Sequence, residues 1–120
     1  MPKEHRSDPG ETLVNAARAY IETHSTEKFS LQALSDALFV NGSYLLRVFK
    51  HRTGITLLSY HNAVRCENAK ALLSQPDRSI SEIGEAVGFV SSAHFSHVFK
   101  KTVGITPTQY RNSHNRNSDS

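Results

Sequence analysis

A chain that repeats its own pattern at a fixed interval must fold as a duplicated unit, and this one does. Phe39-Val40 recurs as Phe89-Val90, Val48-Phe49-Lys50 as Val98-Phe99-Lys100, Gly54-Ile55-Thr56 as Gly104-Ile105-Thr106, and Tyr60 as Tyr110, each displaced by 50 positions. Upstream, Ser30 and Ala37 match Ser79 and Ala86 with a displacement of 49. The one-residue difference is expected beside Gly88. Matches at a fixed displacement mark a repeated supersecondary unit, and two copies make a related pair rather than a solenoid.

Each copy reads as helix, short turn, helix. Leu31, Leu34, Ala37 and Leu38 fall on one helical face, as do Ile80, Ile83, Ala86 and Val87. Ser79 followed by Glu82 is a capping box. Gly88 supplies the positive φ that ends a helix. Asn41 and Ser91 are matched N-caps of the next helices. Those helices bury Leu45, Val48 and Phe49 in the first copy and Phe95, Val98 and Phe99 in the second, and Gly54 and Gly104 close them.

Further helices frame the copies. Asp8-Pro9-Gly10-Glu11 reads as a cap with proline at the first helical position. Leu13, Ala16, Ala17, Tyr20 and Ile21 continue that helix on one face. A long helix over about Thr56–Ser74 carries the apolar stripe Cys66, Ala69, Leu72 and Leu73. Thr106-Pro107-Thr108-Gln109 opens a last short helix. No strand pattern stands out, so the fold class is all-α. The expected organisation is a disordered segment 1–8, a first subdomain 9–55, a connecting helix 56–75, a second subdomain 76–111, and a polar, disordered tail 112–120.

Charge follows the same blocks. From Ala37 to Cys66 the basic residues are Arg47, Lys50, Arg52 and Arg65, with no acid among them. From Ala86 to Ser118 they are Lys100, Lys101, Arg111 and Arg116, again without an acid. The intervening stretches are net acidic, and the whole chain is only +3. Acid-free basic blocks that take in the second helix of each repeat can gather a polyanion such as nucleic acid, the alternative being uneven surface charge. No apolar run approaches the length of a membrane span, and Met1–Gly10 lacks the apolar centre of a signal peptide. The single cysteine, Cys66, has no internal disulfide partner, which points to a reducing cytoplasm. The seven histidines lack the pair spacing of a zinc site. No catalytic triad, carboxylate pair or phosphate loop is present, and no cofactor is implied.

The stretch "SISEIGEAVGFVSSAHFSHVFKKTVGITPTQYR", Ser79 to Arg111, resembles the signature of AraC/XylS transcription regulators. Its marks are Ile80-x-x-Ile83, Gly88-Phe89, Phe95-x-x-x-Phe99-Lys100-Lys101, Gly104-x-Thr106-Pro107 and Tyr110-Arg111. "YLLRVFKHRTGIT" resembles the family's first unit and "VRCENAKALL" its connecting helix. The resemblance spans about Glu11 to Arg111. It implies seven helices in two homeodomain-like helix-turn-helix subdomains joined by a long connecting helix. It also implies promoter binding and control of transcription in a bacterial cytoplasm, at the nucleoid. Three positions depart from the family. Phe39 stands where the first unit commonly has glycine, and a bulky residue resists positive φ. Leu46 replaces a common polar residue, and His97 replaces a common arginine.

Helix geometry then nominates contact residues. With Leu45, Val48 and Phe49 inward, Ser43, Arg47 and Lys50 face outward, as do Ala93, His97 and Lys100 in the second copy. Base contacts are assigned to Ser43, Leu46, Arg47, Ser92, Ala93, Ser96 and His97. Phosphate contacts are assigned to Lys50, Arg52, Lys100 and Lys101, and to the helix starts at Ser30, Ser79 and Thr106. Two such units would read major grooves about one turn, roughly 34 Å, apart. A rigid connecting helix would then bend the DNA. The expected partners are double-stranded promoter DNA and RNA polymerase, with a sensor domain or dimer partner outside this chain. The competing classes are a protein-interaction module docking on RNA polymerase or another regulator, and a repair enzyme with a reactive cysteine.

Overall fold

The structure, a computed structural model, describes residues 8–119. Among them there are seven helices and no strand. They are α1 (Pro9–Thr23), α2 (Leu31–Ala37), α3 (Gly42–Thr53), α4 (Leu57–Leu73), α5 (Ile80–Ala86), α6 (Ser92–Val103) and α7 (Pro107–Asp119). The all-α expectation holds.

The chain forms two compact units. The first comprises residues up to His24 together with Phe29–His61. The second comprises Ser25–Lys28 together with residues from Asn62 onward. The long helix expected over 56–75 is α4, and it divides between the units after His61. Its first turn belongs to one core and its remainder to the other.

In the first unit Val14, Ala17, Ile21, Leu34, Leu45, Phe49 and Leu57 are buried. In the second, Cys66, Ala69, Leu73, Ile83, Val87, Phe89, Phe95, Val98 and Phe99 form one apolar cluster. The Cys66–Ala69–Leu73 stripe of α4 is fully enclosed there. Ala37 and Ala86 do not join the cores as the helical pattern suggests; both are exposed. Small residues two positions earlier, Ser35 and Gly84, are buried in their place. A Cβ at Gly84 would lie 2.7 Å from the Phe95 ring, so only glycine lets α5 approach α6 this closely.

The capping chemistry is the one written in the sequence. Asp8, Ser30, Asn41, Ser79 and Ser91 each accept a hydrogen bond from a backbone N–H three residues on. The Ser79/Glu82 capping box is complete. At Thr106 the backbone N–H donates to Gln109 Oε1 at 2.9 Å, and the Gln109 N–H donates back to Thr106 Oγ1 at 3.0 Å. Gly54 and Gly104 end α3 and α6 in the left-handed conformation.

The turns inside the two repeats are the same motif, in a register that letter-matching misassigns. After α2, the Phe39 N–H donates to Asp36 O and the Val40 N–H to Ser35 O. After α5, the Gly88 N–H donates to Glu85 O and the Phe89 N–H to Gly84 O. Both are Schellman caps, in which the residue after the C-cap takes positive φ. Phe39 (φ 58°) therefore corresponds to Gly88 (φ 114°), and Val40 to Phe89. The extra residue of the second turn is Val90, not a neighbour of Gly88, and its side chain is 96% exposed. The shared Phe-Val letters are coincidental at this point, because the backbone hydrogen bonds dictate correspondence.

The two ends of the chain differ from expectation. Residues 1–7, expected to be disordered, lie outside the described residues, whereas Asp8 is an ordered cap. The tail expected to be disordered from Asn112 instead continues α7 to Asp119. No glycine or proline follows Pro107 to break it, and His114 stacks on Tyr110 at 4.0 Å. Arg111 also ties α7 into its unit, donating to Leu73 O at 3.1 Å and Gln75 O at 3.0 Å.

Ser25–Lys28 is held in the second unit by a buried arginine. Arg65 donates to Ser25 O at 2.6 Å and Glu27 O at 2.7 Å, and its guanidinium lies 5.1 Å from the Phe89 ring centroid. Burial pulls the Arg65 pKa below its ordinary value. Its role is to anchor this segment, so it does not belong to the exposed basic set.

Candidate nucleic-acid interface

The second helix of each repeat presents an acid-free outer face. On α3, Ser43, Leu46, Arg47 and Lys50 are exposed, while Leu45 and Phe49 are buried. On α6, Ser92, Ala93, His97, Lys100 and Lys101 are exposed above Phe95, Val98 and Phe99. Ser96, expected with them, is only half-exposed, because its position rotates toward the core side of the helix. Lys50, His51 and Arg52 occupy the last turn of α3, and Lys100 and Lys101 that of α6. Cations there complement the helix dipole before any ligand binds.

Arg52 is engaged within the protein. Its Nη1 and Nη2 reach the two Asp8 carboxylate oxygens, each at 3.0 Å. The same carboxylate accepts the Glu11 N–H at 2.8 Å, capping α1. That backbone donor, then Arg52, holds the Asp8 carboxyl below its ordinary pKa. Arg52 therefore links α3 to α1 and offers less to a phosphate than Lys50, which forms no ion pair with a carboxylate among the described residues.

The three proposed phosphate sites at helix starts are also unequal. At Ser79 the Glu82 carboxylate already accepts the Ser79 N–H at 2.9 Å, placing negative charge where an anion would sit. At Thr106 the neutral Gln109 fills the same position. At Ser30 the first turn contains no acid.

Two residues of α3, Tyr44 and His51, escaped the sequence reading. Tyr44 lies under Arg47, with the guanidinium carbon 5.6 Å from the ring centroid. Tyr44, Arg47 and His51 also line a cleft against the start of α1. Their i, i+3, i+7 spacing was the available signal, but it ran along the flank between the inward and outward faces. In the second repeat, His94 rests edge-on against Phe89, with centroids 5.4 Å apart, a packing contact. Cys66 is buried and desolvation pushes its thiol pKa up, which disfavours the thiolate. No group of three or more His, Cys, Asp or Glu able to hold a metal occurs among the described residues. No described helix is long and apolar enough to cross a membrane.

Comparison with known proteins agrees with this geometry. A family described as "Helix-turn-helix domain" matches residues 34–113. A transcriptional regulator of AraC-type DNA-binding-domain proteins from Chromobacterium violaceum superposes with a TM-score of 0.80 at 30% identity, covering 87% of this chain and 93% of that one. This chain belongs to the AraC/XylS family. Its two helix-turn-helix units are the DNA-binding domain of that family of transcription regulators. The DNA-binding domain of AdpA, solved in complex with a target DNA, is similar with a TM-score of 0.76 at 26% identity, covering 92% of this chain and 96% of that one. Among curated proteins, the bifunctional transcriptional activator/DNA repair enzyme AdaA of Bacillus subtilis (strain 168) is 35% identical over 86% of this chain and 49% of its own length. The chain spans about half of AdaA and about a third of the next relatives.

Proposed function

We propose that this chain binds double-stranded promoter DNA in a sequence-specific manner and thereby regulates transcription, with α3 and α6 each entering a major groove. The observation that carries this reading is the pair of exposed, acid-free faces on the two second helices. Arg47 reads a guanine through its O6 and N7, worth about 1–3 kcal/mol of discrimination. Leu46 and Ala93 pack on thymine methyls, Ser43 and Ser92 hydrogen-bond base edges, and His97 donates or accepts according to its tautomer. Lys50, Lys100 and Lys101 neutralise phosphates and set the register. The start of α2 at Ser30 adds backbone donors to a phosphate.

The test is selection of bound sequences from random duplexes, followed by titration of the winner at several salt concentrations. A bipartite motif with half-sites about one turn apart, weakening as salt rises, is the expected result. Enrichment of one half-site alone would assign α6 to phosphate contact only. A second reading, docking on RNA polymerase or another regulator, draws on the bare apolar side chains of the two turns, Phe39 and Val90. Binding indifferent to both salt and sequence would favour it. A repair chemistry on this segment is disfavoured by the enclosed Cys66.

A further inference from the structure

The cleft beside α3 shares Arg47 with the DNA reading, and it has the dimensions of a ligand site. It measures about 500 Å³ and lies wholly in the first unit. That volume falls in the range of small-molecule pockets. One wall is the first turn of α1, and the other is the flank of α3 carrying Tyr44, Arg47, Val48, His51 and Arg52. Pro9, Val48 and the Tyr44 ring supply its apolar surface, and its side-chain donors are the Arg47 and Arg52 guanidiniums, the His51 imidazole and the Tyr44 hydroxyl. The carboxylate at its edge, Asp8, is committed to Arg52 and to the α1 cap. Gly10 keeps the back of the cleft open to Arg52, since a Cβ there would lie 2.6 Å from Nη2. Neither Arg47 nor His51 forms an ion pair with a carboxylate among the described residues.

We propose that this cleft binds a small organic anion, with one carboxylate or phosphate group between Arg47 and His51 and a flat apolar body against Val48 and Tyr44. The consequence rests on the base-reading role of Arg47. An anion in the cleft draws that guanidinium off the base edge, so ligand and DNA compete, and by linkage each weakens the other equally.

The test uses the full chain and phenyl phosphate as probe, with inorganic phosphate and benzyl alcohol as controls, followed by amide NMR shifts without DNA. Saturable shifts at Gly10, Tyr44, Val48 and His51 are expected, with a dissociation constant of about 1 mM or below. Arg47→Ala and His51→Ala each weaken binding about 5- to 10-fold. At ten times the dissociation constant and fixed ionic strength, DNA affinity falls about tenfold. No saturable shift, or the same shifts with benzyl alcohol, overturns the proposal. Inorganic phosphate binding as well as phenyl phosphate overturns the organic-anion assignment, leaving a seat for a bare backbone phosphate. Saturable binding with unchanged DNA affinity overturns the competition. If Arg47→Ala weakens the probe but leaves base preference intact, the base-reading role fails while the cleft stands.

Discussion

Replacing Phe39 by glycine should stabilise the first unit, against the usual cost of removing a large apolar side chain. Phe39 sits at φ 58°, and an L-residue in that region carries roughly 1–2 kcal/mol of strain. Nothing offsets it through burial, because the side chain is 94% exposed. Glycine removes the strain but adds freedom to the unfolded chain, costing about 0.5–1 kcal/mol. The midpoints leave a net gain of about 0.75 kcal/mol, or roughly 3–6 °C in Tm for a small domain. The Schellman hydrogen bonds from Phe39 and Val40 are backbone bonds and survive the change. Urea unfolding by circular dichroism measures the sum. Hydrogen exchange of α2 and α3 amides assigns it to the correct unit, since two units need not unfold together. Phe39→Asn should fall between the two, as asparagine tolerates this conformation better than phenylalanine. Gly88→Ala is the converse: the new Cβ would meet Thr26 O at 2.8 Å at φ 114°, and a loss above about 2 kcal/mol is expected. An unchanged or less stable Phe39→Gly variant would refute the reasoning, because it would mean that the exposed ring holds the turn together.

Arg65→Met should destabilise the second unit by about 2–4 kcal/mol, read from its urea midpoint, because Ser25 O and Glu27 O lose a charged donor. Asp8→Asn keeps the α1 cap but removes the charge paired with Arg52. The depressed Asp8 pKa means the stabilisation is present above its ordinary value of 3.8 and lost as pH falls through the folded value. The stability difference between wild type and Asp8→Asn should therefore shrink on acidification in denaturation curves; a constant difference would exclude this linkage. Tyr60 is pushed up to about 12, first by burial and then by its hydrogen bond to Glu22. Stability it contributes is present below pH 10 and lost as pH rises toward 12, and Tyr60→Phe should flatten that alkaline loss. Arg47→Ala should relax preference at one base pair by about 1–3 kcal/mol, whereas Lys100→Ala should weaken all duplexes alike and reduce the salt slope by about 1; gel shifts on matched and mutated sites distinguish the two.

Much of the fold was legible because it is written in local chemistry. The caps at Asp8, Asn41, Ser79, Ser91 and Thr106 and the closing glycines at 54 and 104 each act within a few residues, so spacing alone reveals them. The apolar period placed Leu45, Phe49, Phe95 and Phe99 inward, and by subtraction placed Arg47, Lys50, His97 and Lys100 outward. Seven-residue helices carry too little period to define a face, which is why Ala37 and Ala86 were misplaced and Ser35 and Gly84 overlooked.

What the sequence by itself determined was the all-helical duplication, its capping, its acid-free outer faces and the family these imply. Three things waited for tertiary structure. The register of the two turns depended on which backbone N–H reached which carbonyl, and identical letters at Phe39 and Phe89 pointed the wrong way. The fates of the cations depended on distant partners: Arg52 on Asp8, Arg65 on Ser25 and Glu27, and Arg111 on Leu73 and Gln75. The cleft beside Arg47 depended on α1 meeting α3. Caps and periods are short-range interactions that a chain carries with it. Whether a long, charged side chain faces solvent or a neighbouring carbonyl is settled only when segments far apart in sequence come together.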